Sequence, residues 1–223
     1  MKRIHDIGLP LYNGMWSYRE NWANKISPIA RTADGDASTV YRFSLCSHSG
    51  TYVETSQHKL NNEVLLSSFP LSAFVRPCKL ISIGPCAESE EVTLDTFLGA
   101  IAMTNFSIDV GDTLIIATGW GRHHRSANFL DSCPFFSPQL TEWLSEKRLH
   151  LLGVDTPIID NQRAPYAAIK MLFQANETTL VVAPLCIDIN SVVSGSYELN
   201  CVPLNIESVS ASLCRPILLE NVT

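Results

Sequence analysis

Positive charge is scarce in this chain of 223 residues, where 16 Lys and Arg stand against 22 Asp and Glu for a formal net charge of −6. Without a basic excess there is nothing to neutralise a phosphate backbone or an anionic membrane surface, so nucleic acid and membrane are not expected partners. Long apolar runs are missing too. Thr179–Cys186 and Leu114–Ala117 fall far short of the roughly 18 residues a spanning helix needs. The opening MKRIHDIGLPLYNGM carries Lys2 and Arg3, but His5, Asp6 and Pro10 interrupt any apolar core of a secretory signal, so a cytoplasmic location is expected. The Asn176-Glu177-Thr178 and Asn221-Val222-Thr223 triplets match a glycosylation pattern that has no consequence without export. The seven cysteines are odd in number and contain no CxxC pair, which excludes a disulfide scaffold and predicts reduced thiols. No repeat of solenoid or propeller period is visible.

What is present is apolar substance. At 46% hydrophobic and 17% charged residues, the chain is expected to form a single globular domain over 1–223. Runs rich in β-branched and apolar residues predict strands at Arg3–Ile7, Val40–Cys46, Lys79–Gly84, Thr113–Thr118, His150–Val154, Thr179–Leu185 and Tyr197–Leu204. Helical signals fall between them. Thr93 caps Leu94–Met103, with Asp95 in the first turn. Ser137-Pro138 starts Gln139–Arg148, and Ala164-Pro165 starts a third helix reaching about Gln174. Strands alternating with helices predict an α/β fold, with enough extra strands for a mixed β-sheet with flanking helices.

Polar, proton-active side chains concentrate in Ser47–His58, which reads SHSGTYVETSQH after a predicted strand. If residues 51–55 are extended, Tyr52 and Glu54 share one face and Val53 takes the other, so that face can meet His48 and His58. The segment resembles the HxGTHxDxPxH signature of the cyclase family, which includes bacterial kynurenine formamidases and isatin hydrolases. DIGLPLYNGMW near the start, ATGW at Ala117–Trp120, LLGVDTPIID at Leu151–Asp160, and VPLNIES followed by Arg215 fit the same family in the same order. The resemblance implies the swivelling β/β/α fold of that family and a metal-dependent hydrolase with zinc or manganese. It also implies arylformamidase chemistry, in which N-formylkynurenine is cut to kynurenine and formate in tryptophan catabolism, and a homo-oligomer, dimer or tetramer.

The sequence departs from the signature where the resemblance puts metal ligands. The matching positions read His48, Tyr52, Glu54 and His58, so one histidine ligand is a tyrosine, the aspartate is a longer glutamate, and Gln57 replaces the proline. In the family a helix His and a strand Glu complete the site. The matching positions here are Ile169 or Lys170, and Ala183. His48 and Glu54 are then the surviving metal donors, with His58 the family's proton-transfer group, and two donors are too few for a tightly held ion. No stoichiometric zinc or manganese is therefore expected at this degenerate site. A buried Glu54 without a cation would be costly unless a positive charge is supplied, and Lys170 is the candidate for a buried pair with it.

Candidate catalytic residues are thus His58, Glu54, Tyr52 and Lys170. Tyr52 reads either as a catalytic phenol or as an aromatic filling the space of a lost ligand, and Lys170 either as a partner of Glu54 or as a solvated helix residue. Trp16, Trp120 and His123 are candidates for the walls and mouth of a substrate pocket, with Trp22 alongside the other tryptophans, while the tryptophans read also as ordinary core residues and His123 as plain surface. Cys46, two residues before His48, reads as a small buried hydrophobe rather than a nucleophile. Asp155 and Asp160, flanking the Thr-Pro turn, are expected to hold backbone. Two functions remain open: an amide or lactone hydrolase acting on a small, aromatic substrate through an altered or metal-free site, and an inactive relative that binds a small molecule in the same pocket.

Overall fold

The computed structural model describes residues 2–164 and 167–221. Pro165, at the expected start of the third helix, and Val222-Thr223 of the second Asn-x-Thr triplet lie outside the described residues. Thirteen strands and three helices are present among them: β1 (Lys2–Asp6), β2 (Lys25–Ala30), β3 (Val40–Ser44), β4 (Tyr52–Glu54), β5 (Val75–Ser82), β6 (Glu91–Val92), α1 (Leu94–Ala102), β7 (Thr113–Ala117), β8 (Phe135–Phe136), α2 (Pro138–Glu146), β9 (Leu151–Val154), α3 (Ala168–Ala175), β10 (Leu180–Ala183), β11 (Gly195–Asn200), β12 (Ala211–Leu213) and β13 (Ile217–Asn221).

Nine of these strands form one mixed sheet in the order β1-β13-β11-β5-β7-β9-β10-β4-β12. Its centre, β5-β7-β9-β10, is parallel, and its flanks are antiparallel. The central strands are apolar on both faces because both faces are covered, as a parallel sheet requires. Ile115 and Val182 point to one core layer with Leu80 and Val53. Leu114, Ile116 and Val181 point to the other, against Phe97 of α1, Leu140 and Leu144 of α2, and Leu172 and Phe173 of α3. The expected α/β architecture with flanking helices is therefore present, and no helix of the described residues is long and apolar enough to cross a membrane.

The helix starts follow their caps. Thr93 Oγ1 accepts from Thr96 N at 3.1 Å before α1, and Ser137 Oγ accepts from Leu140 N at 3.2 Å before α2, with Pro138 in the first turn. The third helix starts later than its sequence predicts. Ala167, the residue before α3, is left-handed at φ 59, which no continuing helix tolerates. Asp160 supplies the cap instead, its Oδ1 accepting from Ala168 N at 2.9 Å. Strands β2 and β3 pair only with each other, as a ribbon whose Ile29, Tyr41 and Phe43 are exposed.

Candidate functional site

Strand β4 is three residues long, and its position follows from what holds its ends. Gly50, at φ +62, turns the chain where a Cβ would press on the Leu11 side chain at 2.6 Å. Thr51 Oγ1 accepts from Leu9 N at 2.9 Å and donates to Pro184 O at 2.5 Å, tying the strand's entry to two other segments. Beyond the strand, Ser56–His58 forms a short 3-10 turn, and Ser56 Oγ donates to Glu177 O at 2.6 Å. The strand lies between β10 and β12, with Glu54 opposite Val181 and Ala211 and Tyr52 opposite Ala183 and Leu213. Alternation then sends Val53 into the core and turns Tyr52 and Glu54 together toward the helix side.

There Tyr52 and Glu54 open into a cavity of about 460 Å³ lined also by Tyr18, Trp22, His48, His58, Ile169, Lys170 and Ala183. Glu54 is 4% exposed. Its Oε2 lies 3.2 Å from His48 Nε2 and 3.7 Å from His58 Nε2, so two imidazoles converge on one carboxylate oxygen. The rings of His48 and His58 stand 4.3 Å apart, and His48 Nδ1 meets Ser47 Oγ at 2.9 Å. Burial pushes the His58 imidazole below its ordinary pKa; the Glu54 carboxylate works against that shift, and His48 and Lys59 add to it.

The tyrosines form a second unit. Tyr18 Oη donates to Pro157 O at 2.6 Å, and that carbonyl can only accept. At the 3.0 Å contact between the two phenols, Tyr52 Oη is then the donor and Tyr18 Oη the acceptor. The proton of Tyr52 is thereby committed to Tyr18, and its oxygen faces its surroundings as an acceptor. Loss of solvent pushes both phenols above their ordinary pKa.

Several expectations are corrected here. Lys170 lines the cavity but is exposed and makes no ion pair with Glu54. Two histidines already occupy the reach of that carboxylate, so its compensation is local to the signature and needs no helix lysine. Ile169 also lines the cavity, so both residues weighed for the helix position are at the site. Trp16, Trp120 and His123 are outside the lining. Gly119, at φ 75, turns the chain after β7 and sends Trp120 into a separate cluster with Trp16, Phe129 and Cys133, where Trp120 Nε1 donates to Phe129 O at 2.9 Å and His123 lies against the Trp120 ring at 4.7 Å. Cys46 is partly exposed rather than buried. Asp155 does hold backbone: it accepts from Thr118 N at 2.9 Å, Thr118 Oγ1 at 2.7 Å and Gly119 N at 2.8 Å.

The donor count is corrected as well. His48, Glu54 and His58 each offer a ligand atom, all within 4.8 Å of one another, so they are a possible metal site. Ligands about 2.0–2.1 Å from a tetrahedral zinc stand about 3.3 Å apart, near the two measured separations, and three protein donors are the number an open catalytic site uses. Ser47 on the far nitrogen of His48 is the kind of outer partner that orients a ligating imidazole. The residues therefore fit one ion. They do not fit a second, because Ile169 and Ala183 offer no donor and the Tyr52 proton is held by Tyr18. The sequence undercounts because the resemblance gives His58 a different role. Tyr18, Arg19 and Lys59 also went unrecognised in the sequence. They lie in irregular segments without periodicity, and only the packing brings them to the cavity.

The Cyclase family profile matches residues 5–161. The kynurenine formamidase of Bordetella avium is 26% identical over 226 residues, covering 99% of both chains. Isatin hydrolase A from Ralstonia solanacearum superposes with a TM-score of 0.80 at 22% identity, covering 99% of this chain and 92% of that one. A predicted metal-dependent hydrolase from Bacillus stearothermophilus superposes at 0.78 with 22% identity, over 99% and 100% of the two chains. At these identities the two structural likenesses speak to the fold.

Proposed function

The chain belongs to the cyclase family, and on that premise we propose that it is a hydrolase that opens an amide or lactone bond of a small aromatic substrate in the cavity above β4. The observation that carries this reading is the buried Glu54 carboxylate with two histidine nitrogens at one of its oxygens, inside an aromatic-walled cavity. The kynurenine formamidase relative supports the amide, and the isatin hydrolase likeness agrees in fold.

Glu54 holds both imidazoles in place. With Nε2 turned to Glu54, His58 keeps Nδ1 for proton transfer, and burial keeps the ring neutral near pH 7, the form that accepts a proton. In this reading Nδ1 takes the proton of an attacking water and returns it to the departing nitrogen or oxygen, while Glu54 stabilises the imidazolium formed between. Tyr18 and Tyr52 shape the wall and present an oxygen acceptor to a substrate N–H or O–H. An ion held by His48, Glu54 and His58 would supply Lewis-acid polarisation of the scissile carbonyl. His58 cannot serve as ligand and as base through one imidazole, so chelation separates the two uses.

The test is hydrolysis of N-formylkynurenine, aryl formamides and aryl lactones by protein stripped with chelator, then supplemented with zinc or manganese. Turnover of one of these classes supports the proposal. The apolar Ile169 and Ala183 positions favour the rival reading, a binding protein, and binding without turnover under every metal condition would establish it. Assembly into dimers is proposed through the β2–β3 ribbon, since a lone two-stranded ribbon is marginal and its Tyr41 and Phe43 are 52% and 63% exposed. A stable monomer at micromolar concentration by light scattering contradicts it.

A further inference from the structure

We propose that Val154, Ile159, Ile169, Val181 and Ala183 form an acyl subsite beside Glu54, so that the protein takes aryl amides whose acyl part is a short aliphatic chain. For the bond that is cut this rests on the hydrolase reading; for the binding of the chain it does not. Strand β4 has this apolar floor on one side. Val181 stands opposite Glu54 and Ala183 opposite Tyr52 in the pairing of β10 with β4, which puts their Cβ atoms about 4.5–5.5 Å from those of the two polar residues. On its far side β10 runs parallel to β9, whose last residue, Val154, lines the same cavity, as do Ile159 and Ile169. All five belong to or pack against one apolar layer shared with Phe97, Leu140 and Leu172 of the three helices.

The aromatic part of the lining lies elsewhere. Trp22 and Tyr18 stand against the His48 ring, with centroids 6.1 Å and 6.4 Å away, and Tyr18 packs with Tyr52 and with Ala211 and Leu213 of β12, the strand on the other side of β4. Two charged residues interrupt the aliphatic side. Asp160 turns its Oδ1 to the Ala168 amide, and Lys170 is exposed. The Glu54 carboxylate and its two imidazoles thus sit between an aromatic wall and an aliphatic floor.

Two properties of the floor select a slender chain. Val154, Val181 and Ala183 are only 2%, 2% and 4% exposed, so the space above them is narrow and nearly closed to solvent. The five side chains carry no hydrogen-bonding group, and a water resting on them would lack the polar partners that hold an ordered water. Methylene groups entering there gain contacts and displace no well-bonded water, whereas a formyl hydrogen leaves the space unfilled. Four of the five are held in the layer between sheet and helices, so the subsite exists before the substrate arrives and little ordering cost offsets the gain. With its ring against Trp22 and Tyr18 and its chain on the floor, an anilide brings the scissile carbonyl to Glu54 and His58. The oxygen of water then bonds to the acyl carbon, the C–N bond breaks, and the nitrogen leaves with a proton, giving an aliphatic acid and an arylamine.

The experiment titrates two inert ketones, phenylacetone and 1-phenylpentan-2-one, into the full chain by calorimetry. They copy acetanilide and butyranilide with CH2 in place of N–H, and they differ by two methylenes. A fully buried methylene is worth about fourfold in affinity, so two that are largely buried predict about tenfold tighter binding of the longer ketone. Ala183→Leu fills the floor and should bring the ratio within about twofold. Ile169→Thr, a milder change at a partly buried position, should lower it about threefold. Equal affinities in the parent, a ratio unchanged in both variants, or failure of both ketones to bind overturns the proposal. In turnover at one metal condition, kcat/KM for butyranilide should exceed that for acetanilide by a similar factor, and a lead by acetanilide overturns it too. A tenfold ketone ratio with no hydrolysis of any anilide removes the hydrolase reading and leaves the subsite, whereas hydrolysis of formanilide with equal ketone affinities does the reverse.

Discussion

Replacing Tyr52 by Phe separates a phenol that reacts from one that only supports. Tyr52 donates to Tyr18 at 3.0 Å, and Tyr18 spends its own proton on Pro157 O at 2.6 Å. The substitution removes one hydroxyl and no ring, so Tyr18 loses a donor but keeps its own bond to Pro157, and Ala211 and Leu213 keep their packing partner. A single neutral hydrogen bond of this kind contributes about 0.5–1.5 kcal/mol, equivalent to a fall of roughly 1–6 °C in Tm for a chain this long. Tyr18→Phe should cost more, about 1–3 kcal/mol, because it leaves both the Tyr52 hydroxyl and the Pro157 carbonyl unpaired. The double variant should then lose less than the sum of the two, since both single changes break the same bond. Thermal or urea melts of the four proteins give the coupling, and kcat measured on the same samples gives the role. Turnover in Tyr52→Phe should stay within about threefold of the parent. A loss of about a hundredfold with Tm nearly unchanged would refute this reasoning and make the phenol a catalytic acid.

Asp155→Ala strands three donors, Thr118 N, Thr118 Oγ1 and Gly119 N, in a buried turn. A loss of about 3–5 kcal/mol is expected, seen as a Tm drop of roughly 10 °C; a drop of less than about 2 °C would show that the turn closes without it. His150 reports on pH away from the cavity. Burial holds its imidazole below the ordinary value of 6.5, against the pull of the Ala73 carbonyl. The unfolded chain then binds the proton more readily, so the stabilisation is complete above about pH 6.5 and is lost as pH falls through the lowered folded value. Urea midpoints between pH 8 and pH 5 should fall less steeply for His150→Gln than for the parent, and parallel slopes would contradict the assignment.

The fold was largely legible because its central strands are apolar on both faces. Thr113–Ala117 and Leu180–Ala183 appear nearly as their runs of β-branched residues predict, and α1 and α2 begin at Thr93 and Ser137, where capping chemistry marks them. The flanking strands β12 and β13 carry weaker patterns and become strands only by pairing with β4 and with β1 and β11. At the site, period-two alternation correctly placed Tyr52 and Glu54 together. It said nothing of Tyr18, whose bond to Tyr52 spans 34 residues of sequence, nor that Glu54 pairs with His48 and His58 and not with Lys170. Aromatic character alone carried Trp16 and Trp120 to the cavity, whereas the turn at Gly119 and the Asp155 hydrogen bonds send Trp120 into a separate cluster against which Trp16 packs.

The most direct test of the central claim is the ratio of kcat/KM between Glu54→Gln and the parent, on the best-hydrolysed substrate and at one defined metal condition. Glutamine fills the same space, but it carries no charge to steady His48 and His58, and its amide nitrogen would face ring N–H groups. If Glu54 is the anchor of a hydrolytic centre, kcat/KM falls by about a hundredfold or more while the folded protein remains. A ratio within threefold, with the fold intact by circular dichroism, would place the chemistry somewhere other than His48, Glu54 and His58.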